Sequence, residues 1–326
     1  MEFRTKIEIP GSGLLVSHKS RILMFGSCFI ENIGNLLVEN KFNANLNPFG
    51  ILYNPQSISQ ALRLLVENKK FTESDIFEYK GLFHSFYHHS RFSNTDKDKC
   101  IEKINGGIER SSADLRQANV LFVTFGTACV FRSKKYGIIA GNCHKLPASD
   151  FDRYRLSVYD IVNDWESLIK ELKQINPALR IIFTVSPVRH LKDGAHENQL
   201  GKSVLLLSVD ELRQKDAGLC YFPAYEIVLD ELRDYRFYKD DMVHPDTMAI
   251  KYIWKRFSET YFDADTCSII EEWNKIYPAI NHRPFNADTD EHKHFLRQTL
   301  LKIKAFNEKY PYICCSGETS DLERRL

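Results

Sequence analysis

An excess of charge of either sign is what this sequence most lacks. Its 44 Lys and Arg residues stand against 43 Asp and Glu, a formal net charge of +1, so no broad field draws a nucleic acid or an anionic membrane. Long apolar runs are missing too, none approaching the ~20 residues that a membrane helix needs. The opening Met1-Glu2-Phe3-Arg4-Thr5-Lys6 holds no apolar core of a signal segment. The expectation is a soluble cytoplasmic protein with neither nucleic acid nor membrane as partner. The eight cysteines, at 28, 100, 129, 143, 220, 267, 314 and 315, make no CxxC pair and are too sparse for a disulfide scaffold, so most should be reduced. Cys143-His144 and Cys314-Cys315 are adjacent pairs; neighbours in an extended chain point opposite ways, so neither chelates by itself. No metal and no cofactor are expected. Repeats and low-complexity linkers are absent.

What is present is enough apolar matter for a large core: 326 residues, 43% hydrophobic and 12% aromatic, suiting one large domain or one domain with a helical appendage. Strand-length apolar runs occur at Arg21 to Phe25, Asn119 to Phe125 and Arg180 to Val185; such continuous runs fit a parallel sheet covered on both faces. Phe42 to Leu46 and Gly218 to Phe222 are short strand candidates. Helical spacing follows Ser27 through Leu37 and covers Pro55 to Val66, Lys97 to Gln117 (weakened by Gly106-Gly107), Ser157 to Ile175, about Lys202 to Gln214, about Ala224 to Leu232, and Thr247 to Phe262 behind an Asp246 cap. Val130 to Ala140 reads as a hairpin turning near Lys134-Lys135, and Phe77 to Phe92 as an irregular aromatic excursion. Alternation of strand and helix predicts a three-layer α/β/α sandwich around a mostly parallel sheet. Beyond Ala264, two charged amphipathic segments, Ser268 to Tyr277 and Asp290 to Tyr310, predict a helical extension packed on the main fold, dividing the chain at 1–262 and 263–326, with the last sixteen residues frayed.

Two short motifs carry chemistry. Gly26-Ser27-Cys28-Phe29 follows the first strand and opens the first helix, which puts a hydroxyl at the carboxyl end of a sheet strand, where open α/β sheets bind ligands. Asp241-Met242-Val243-His244-Pro245 precedes the last helix of the sheet unit. A serine needs a base, and histidine suits that exchange near neutral pH. A carboxylate three residues earlier can meet the ring Nδ1–H, making Asp241 the orienting acid and Asp240 its substitute. The N–H groups of Ser27 and Gly50, with a group near Gly126, are candidates to hold an oxyanion. Taken singly, Ser27 reads as a helix cap and Asp-x-x-His as a solvated turn; the joint placement is what points to a hydrolase.

Phe25-Gly26-Ser27-Cys28-Phe29, Asn47-Pro48-Phe49-Gly50, Phe125-Gly126-Thr127-Ala128, Gly141-Asn142-Cys143-His144-Lys145, Ser186-Pro187-Val188-Arg189-His190 and Asp241-Met242-Val243-His244-Pro245 together resemble the GSCFA proteins, a branch related to the SGNH (GDSL-like) hydrolases, over roughly residues 20 to 260. The resemblance implies a flavodoxin-like sandwich in which Ser27 attacks an ester to form an acyl-serine, Gly50 gives a second oxyanion donor, and Asp241 and His244 complete a triad. The usual Gly-x-Asn-Asp pattern would put asparagine where this chain has Ala128, leaving the third donor to Asn142 or Thr127. His144, Arg189 and His190 are candidates for binding substrate oxygen or charge. The expected activity is removal of a small acyl group, such as O-acetyl, from a carbohydrate or small metabolite. The alternatives are an SGNH-fold binding protein that lost efficient catalysis, and a metal or thiol enzyme using Cys28, Cys143 and His144.

Overall fold

The computed structural model describes residues 4–11 and 13–326; the opening Met1-Glu2-Phe3, read above as lacking a signal segment, lies outside them. Five strands, β1 (Arg21–Gly26), β2 (Asn43–Leu46), β3 (Val120–Phe125), β4 (Arg180–Val185) and β5 (Leu219–Tyr221), form one sheet in the order β2-β1-β3-β4-β5. Every neighbouring pair is parallel. That order reverses direction between β1 and β3, and the crevice at such a reversal, outside the carboxyl ends of the strands, is where open sheets hold ligands.

The apolar runs are continuous because both faces are covered. Leu23, Phe25, Leu121, Val123, Phe183 and Val185 point to one side, against helices α2 (Pro55–Val66), α3 (Lys97–Gln117), α4 (Val158–Ile175) and α5 (Ala195–Lys215), where Trp165 and Leu205 are fully buried. Their alternate neighbours Ile22, Met24, Val120, Phe122 and Ile182 face α1 (Cys28–Glu39) and α6 (Thr247–Tyr261). The period of two along each strand thus feeds two separate cores. Among the described residues, no helix is long and apolar enough to cross a membrane.

Residues 264–326 hold α7 (Ala264–Asn274), α8 (Asp290–Lys309) and α9 (Ser316–Arg324), packed round Trp273, Leu296, Ile303, Phe306 and Leu322. Trp273 Nε1–H donates to Glu39 O at 2.7 Å, and Lys41 pairs with Glu318 at 2.8 Å. The contacts lie at the last residue of α1 and two residues beyond it. Twelve residues of helix span about 18 Å, so this cluster sits at the amino ends of the strands, far from the crevice.

Four segments differ from expectation, the first being the start of the 77–92 stretch, read as irregular, where Phe77–Tyr79 pairs antiparallel with Leu82–His84. The strand Cys129–Ser133 pairs antiparallel with Phe151–Arg155, where a self-contained hairpin over 130–140 was expected; that hairpin shrinks to the single bridge Arg132 to Ile139. Helix α5 starts seven residues early, at Ala195, behind Gly194 in the left-handed region at φ 91°. The polar tail forms α9, since Leu322 is fully buried and the Arg325 guanidinium donates to Ile280 O at 2.7 Å and His282 O at 2.8 Å.

The turn after β1 is the tightest place in the sheet. Gly26 has φ 151°, and a Cβ there would lie 2.5 Å from Thr124 O and 2.7 Å from Thr124 Cβ, backbone and side chain of a central strand that cannot retreat. Gly26→Ala should therefore destabilise the fold by about 2–4 kcal/mol, read as a lower urea midpoint; an unchanged midpoint would mean that the two strand ends do not approach as described.

Candidate active site

Ser27 stands between β1 and α1 and caps the helix, its Oγ accepting the Phe29 N–H at 3.4 Å. It is fully buried. The preceding peptide is clamped by Asn47, whose Oδ1 accepts the Gly26 N–H at 2.9 Å while its own N–H donates to Met24 O at 2.9 Å. Asn47 O in turn accepts the Gly50 N–H at 2.7 Å, so the donor that the resemblance assigns to an oxyanion is engaged in a turn. Gly50 has φ 83°, and a Cβ there would meet His89 Cβ at 2.2 Å. In this structure the glycine serves that turn.

After β3, the Gly126 and Thr127 N–H groups both donate to Tyr53 O, at 2.8 and 3.0 Å. Gly126 lies directly beside the serine: a Cβ on it would be 3.3 Å from Ser27 Cβ and 3.5 Å from His190 Nε2. Thr127 Oγ1 accepts the Cys129 N–H at 3.1 Å. Ala128, where the resemblance read above would place asparagine, is fully buried in the core.

The histidine motif is preformed. Asp241 Oδ1 accepts the N–H groups of Val243 and His244, each at 2.9 Å, and Oδ2 meets His244 Nδ1 at 2.7 Å. Asp241 therefore holds the ring, with no such bond from Asp240 among the described residues. The loop folds back because Met242 takes φ 55°, because the Lys239 N–H donates to His244 O at 2.8 Å, and because the Arg189 N–H donates to Val243 O at 3.2 Å. A neutral ring that gives Nδ1–H to the carboxylate presents Nε2 as an acceptor. Three hydrogen bonds, from the His244 N–H first, then the Val243 N–H and the ring, hold the Asp241 carboxyl down at about 2.

These pieces border one cleft of about 640 Å³, lined by Cys28, Tyr53, Thr127, Asn142, Arg189, His190 and His244 among others. His244 stands at its mouth, 40% exposed, and Asp241 is 49% exposed. Ser27 lies beneath the lining, and among the described residues no hydrogen bond joins it to His244. Asn142 turns its Oδ1 onto the His144 N–H at 2.8 Å, leaving its NH₂ uncommitted among the described residues. Arg189 spans the side of the cleft, its guanidinium 5.8 Å from the Tyr238 ring centre and 5.9 Å from that of Tyr235.

The candidates separate here. His190 goes deeper than a substrate-binding side chain at the rim: its N–H takes Asn198 Oδ1 at 2.8 Å, its Nε2 is buried without a partner, and burial, then the nearby Lys202 and His244, push it down to about 4. It is a neutral imidazole next to Gly126. His144 is not brought to the cleft. It packs on His84 at 4.4 Å and bonds Ser85 O at 2.8 Å, inside the aromatic excursion, with burial pushing it down to about 4. Burial, then Glu31, raises the Cys28 thiol, and burial raises Cys143 to about 11, so neither offers a thiolate at neutral pH. Among the described residues, no group of three His, Cys, Asp or Glu side chains could hold a metal. Reading the sequence missed Asn47, Tyr53, Asn198 and Lys202. Of these Asn47 stands in the Asn47-Pro48-Phe49-Gly50 block quoted above, and Lys202 left a signal by standing three residues before Leu205 on the buried stripe of α5.

Comparison with known protein families matches residues 21–257 to the GSCFA family and residues 273–326 to the GSCFA domain protein, C-terminal domain. The chain belongs to the GSCFA family. A comparison with curated proteins finds no match.

The hydrogen bonds on Asp241 make a pH prediction. A carboxyl with its folded pKa depressed contributes stability present above its unfolded value, about 3.9, and lost as pH falls through about 2. An NMR titration of the Asp241 carboxyl carbon should therefore show a midpoint well below that of an unfolded chain; a midpoint at the unfolded value would mean that the loop bonds are not formed in solution.

Proposed function

With membership of the GSCFA family as the premise, we propose that the protein is a serine esterase of SGNH type, removing a small acyl group such as O-acetyl from a carbohydrate or small metabolite. What carries the reading is the Asp241–His244 pair, bonded at 2.7 Å, on a loop that borders the same cleft as Cys28, the residue next to Ser27. An aspartate-held imidazole with a free Nε2 is the base that a serine hydroxyl needs. In the proposed reaction His244 Nε2 takes the Ser27 proton as Oγ bonds the acyl carbon, then returns it to the leaving alcohol. Water repeats the sequence to release the acid. Thr127 and Asn142 are the side chains proposed to face the oxyanion, in place of the asparagine that Ala128 replaces, and Arg189 and His190 to border the substrate. No cofactor is required.

A second reading, ligand binding without efficient turnover, has observations of its own. Ser27 is fully buried, and the Gly50, Gly126 and Thr127 N–H groups are spent on Asn47 and Tyr53 carbonyls. A missing oxyanion donor can cost about 10² to 10³ in rate.

Intact-mass spectrometry after fluorophosphonate treatment separates the two. The esterase reading expects one adduct, mapped to Ser27, absent in Ser27→Ala and formed at least about 10² slower in His244→Ala. A folded wild-type protein that takes no adduct while binding acetylated sugars would favour the second reading.

A further inference from the structure

Lys202 is a buried titratable group that the proposed chemistry does not use. It lies on the inner stripe of α5, 2% exposed, and its Nζ donates to Gly126 O at 2.7 Å and Ser186 O at 2.6 Å, the carbonyls that follow β3 and β4. The ring face of Tyr225 lies 5.6 Å away. Among the described residues no carboxylate pairs with it, whereas Arg256, the other buried cation, is paired with Glu231. Pinning two carbonyls asks for a donor, and a neutral amide would serve. An unpaired buried ammonium is costly, so the charge itself calls for an account.

The surroundings supply one. Gly126, whose carbonyl Lys202 holds, is the residue in contact with Ser27 and next to His190 Nε2. The titratable groups that face the ammonium are Cys28 on α1, His190 after β4 and Tyr225 after β5; none is a carboxylate, and Cys28 adjoins the serine. Resting on the esterase reading, we propose that Lys202 is a positioning residue whose buried charge makes the Ser27 end of the cleft a place for a small anion, first the oxyanion and then the carboxylate product. When Ser27 Oγ bonds the acyl carbon, the carbonyl π pair moves onto oxygen and the hydroxyl proton passes to His244. Lys202 keeps its protons. It acts through the Gly126–Thr127 peptide, fixed between its own ammonium on the carbonyl and Tyr53 O on the N–H, and through its field in a water-poor site.

The test uses Lys202→Met, which removes the charge and both bonds, and Lys202→Gln, which keeps a donor without charge and guards against loss of folding. Burial pushes Lys202 down to about 7, so the effect should be full below pH 7 and fade above it. Fluorophosphonate labelling of Ser27 should slow about tenfold in both variants below that pH, with the difference between Lys202→Gln and wild type closing as pH rises. A structural role would not produce that convergence. Acetate, titrated by NMR, should bind wild type and Ser27→Ala but not Lys202→Gln below pH 7. Equal labelling and equal acetate binding in wild type and folded Lys202→Gln would overturn the inference. If Ser27 is never labelled, the esterase reading falls by itself, and the acetate comparison decides Lys202: binding lost in Lys202→Gln sustains the anion site, binding unchanged or absent in wild type ends it.

Discussion

The structure depends on the closeness of two strand ends. At Gly26 the chain passes Thr124 with no room for a Cβ, and that contact puts the β1 turn beside the β3 turn, Ser27 against Gly126. Once the glycine is in place the rest follows by hydrogen-bond accounting. The Gly26 N–H needs an acceptor and finds Asn47 Oδ1; Asn47 takes φ 45° to provide it. Its carbonyl then receives the Gly50 N–H and the Arg91 guanidinium. Buried backbone groups must be paired, so one missing methyl group organises two loops on the carboxyl side of the sheet.

How much of this is readable in the sequence depends on how local each cause is. β1, β3 and β4 are legible because burial on both faces makes each an unbroken apolar run. Helix α3 is legible through Gly106-Gly107 because its Asp96 cap, bonded to the Lys99 N–H at 3.1 Å, and its buried Ile104 and Ile108 lie within a few turns. The partner of Cys129–Ser133 is not legible, since Phe151–Arg155 joins it across a loop whose length hides the register. The early start of α5 is masked by polar Ala195-His196-Glu197-Asn198, and α9 by having one buried leucine in a charged stretch. The same rule holds at the cleft. Asp241 and His244 can be paired on paper because three residues separate them, and Ser27 because strand and helix flank it. Which of His144 and His190 reaches the cleft depends on packing partners tens of residues away. Lys202 reads as surface in any scheme that sorts side chains by type.

The electrostatics divide the cleft by depth. At the mouth Asp241 is held ionised by backbone N–H groups and keeps His244 oriented where water still reaches. Further in, dehydration governs: His190 is kept neutral and Lys202 is pulled toward neutrality, with two carbonyls in place of a counterion. A negative charge entering this region meets a cation that water does not screen, while a positive one meets repulsion. This gradient is produced by burial, without any large patch of one sign on a chain whose net charge is +1.

The wide separation of the two motifs also bears on how the molecule is made. The serine turn is complete once β1, β2 and β3 exist, within the first 125 residues. The loop that carries His244 is braced by Arg189 and by α6, and α6 is tied to the N-terminal segment through the Val16 N–H on Tyr261 O at 2.8 Å and Arg256 on Ile7 O at 2.7 Å. On a ribosome adding about 5–20 residues per second, the Ser27 segment emerges well before the Asp241–His244 loop. Under the proposed reaction, a chain that stops short of this loop would therefore carry the serine segment without the imidazole it is meant to work with.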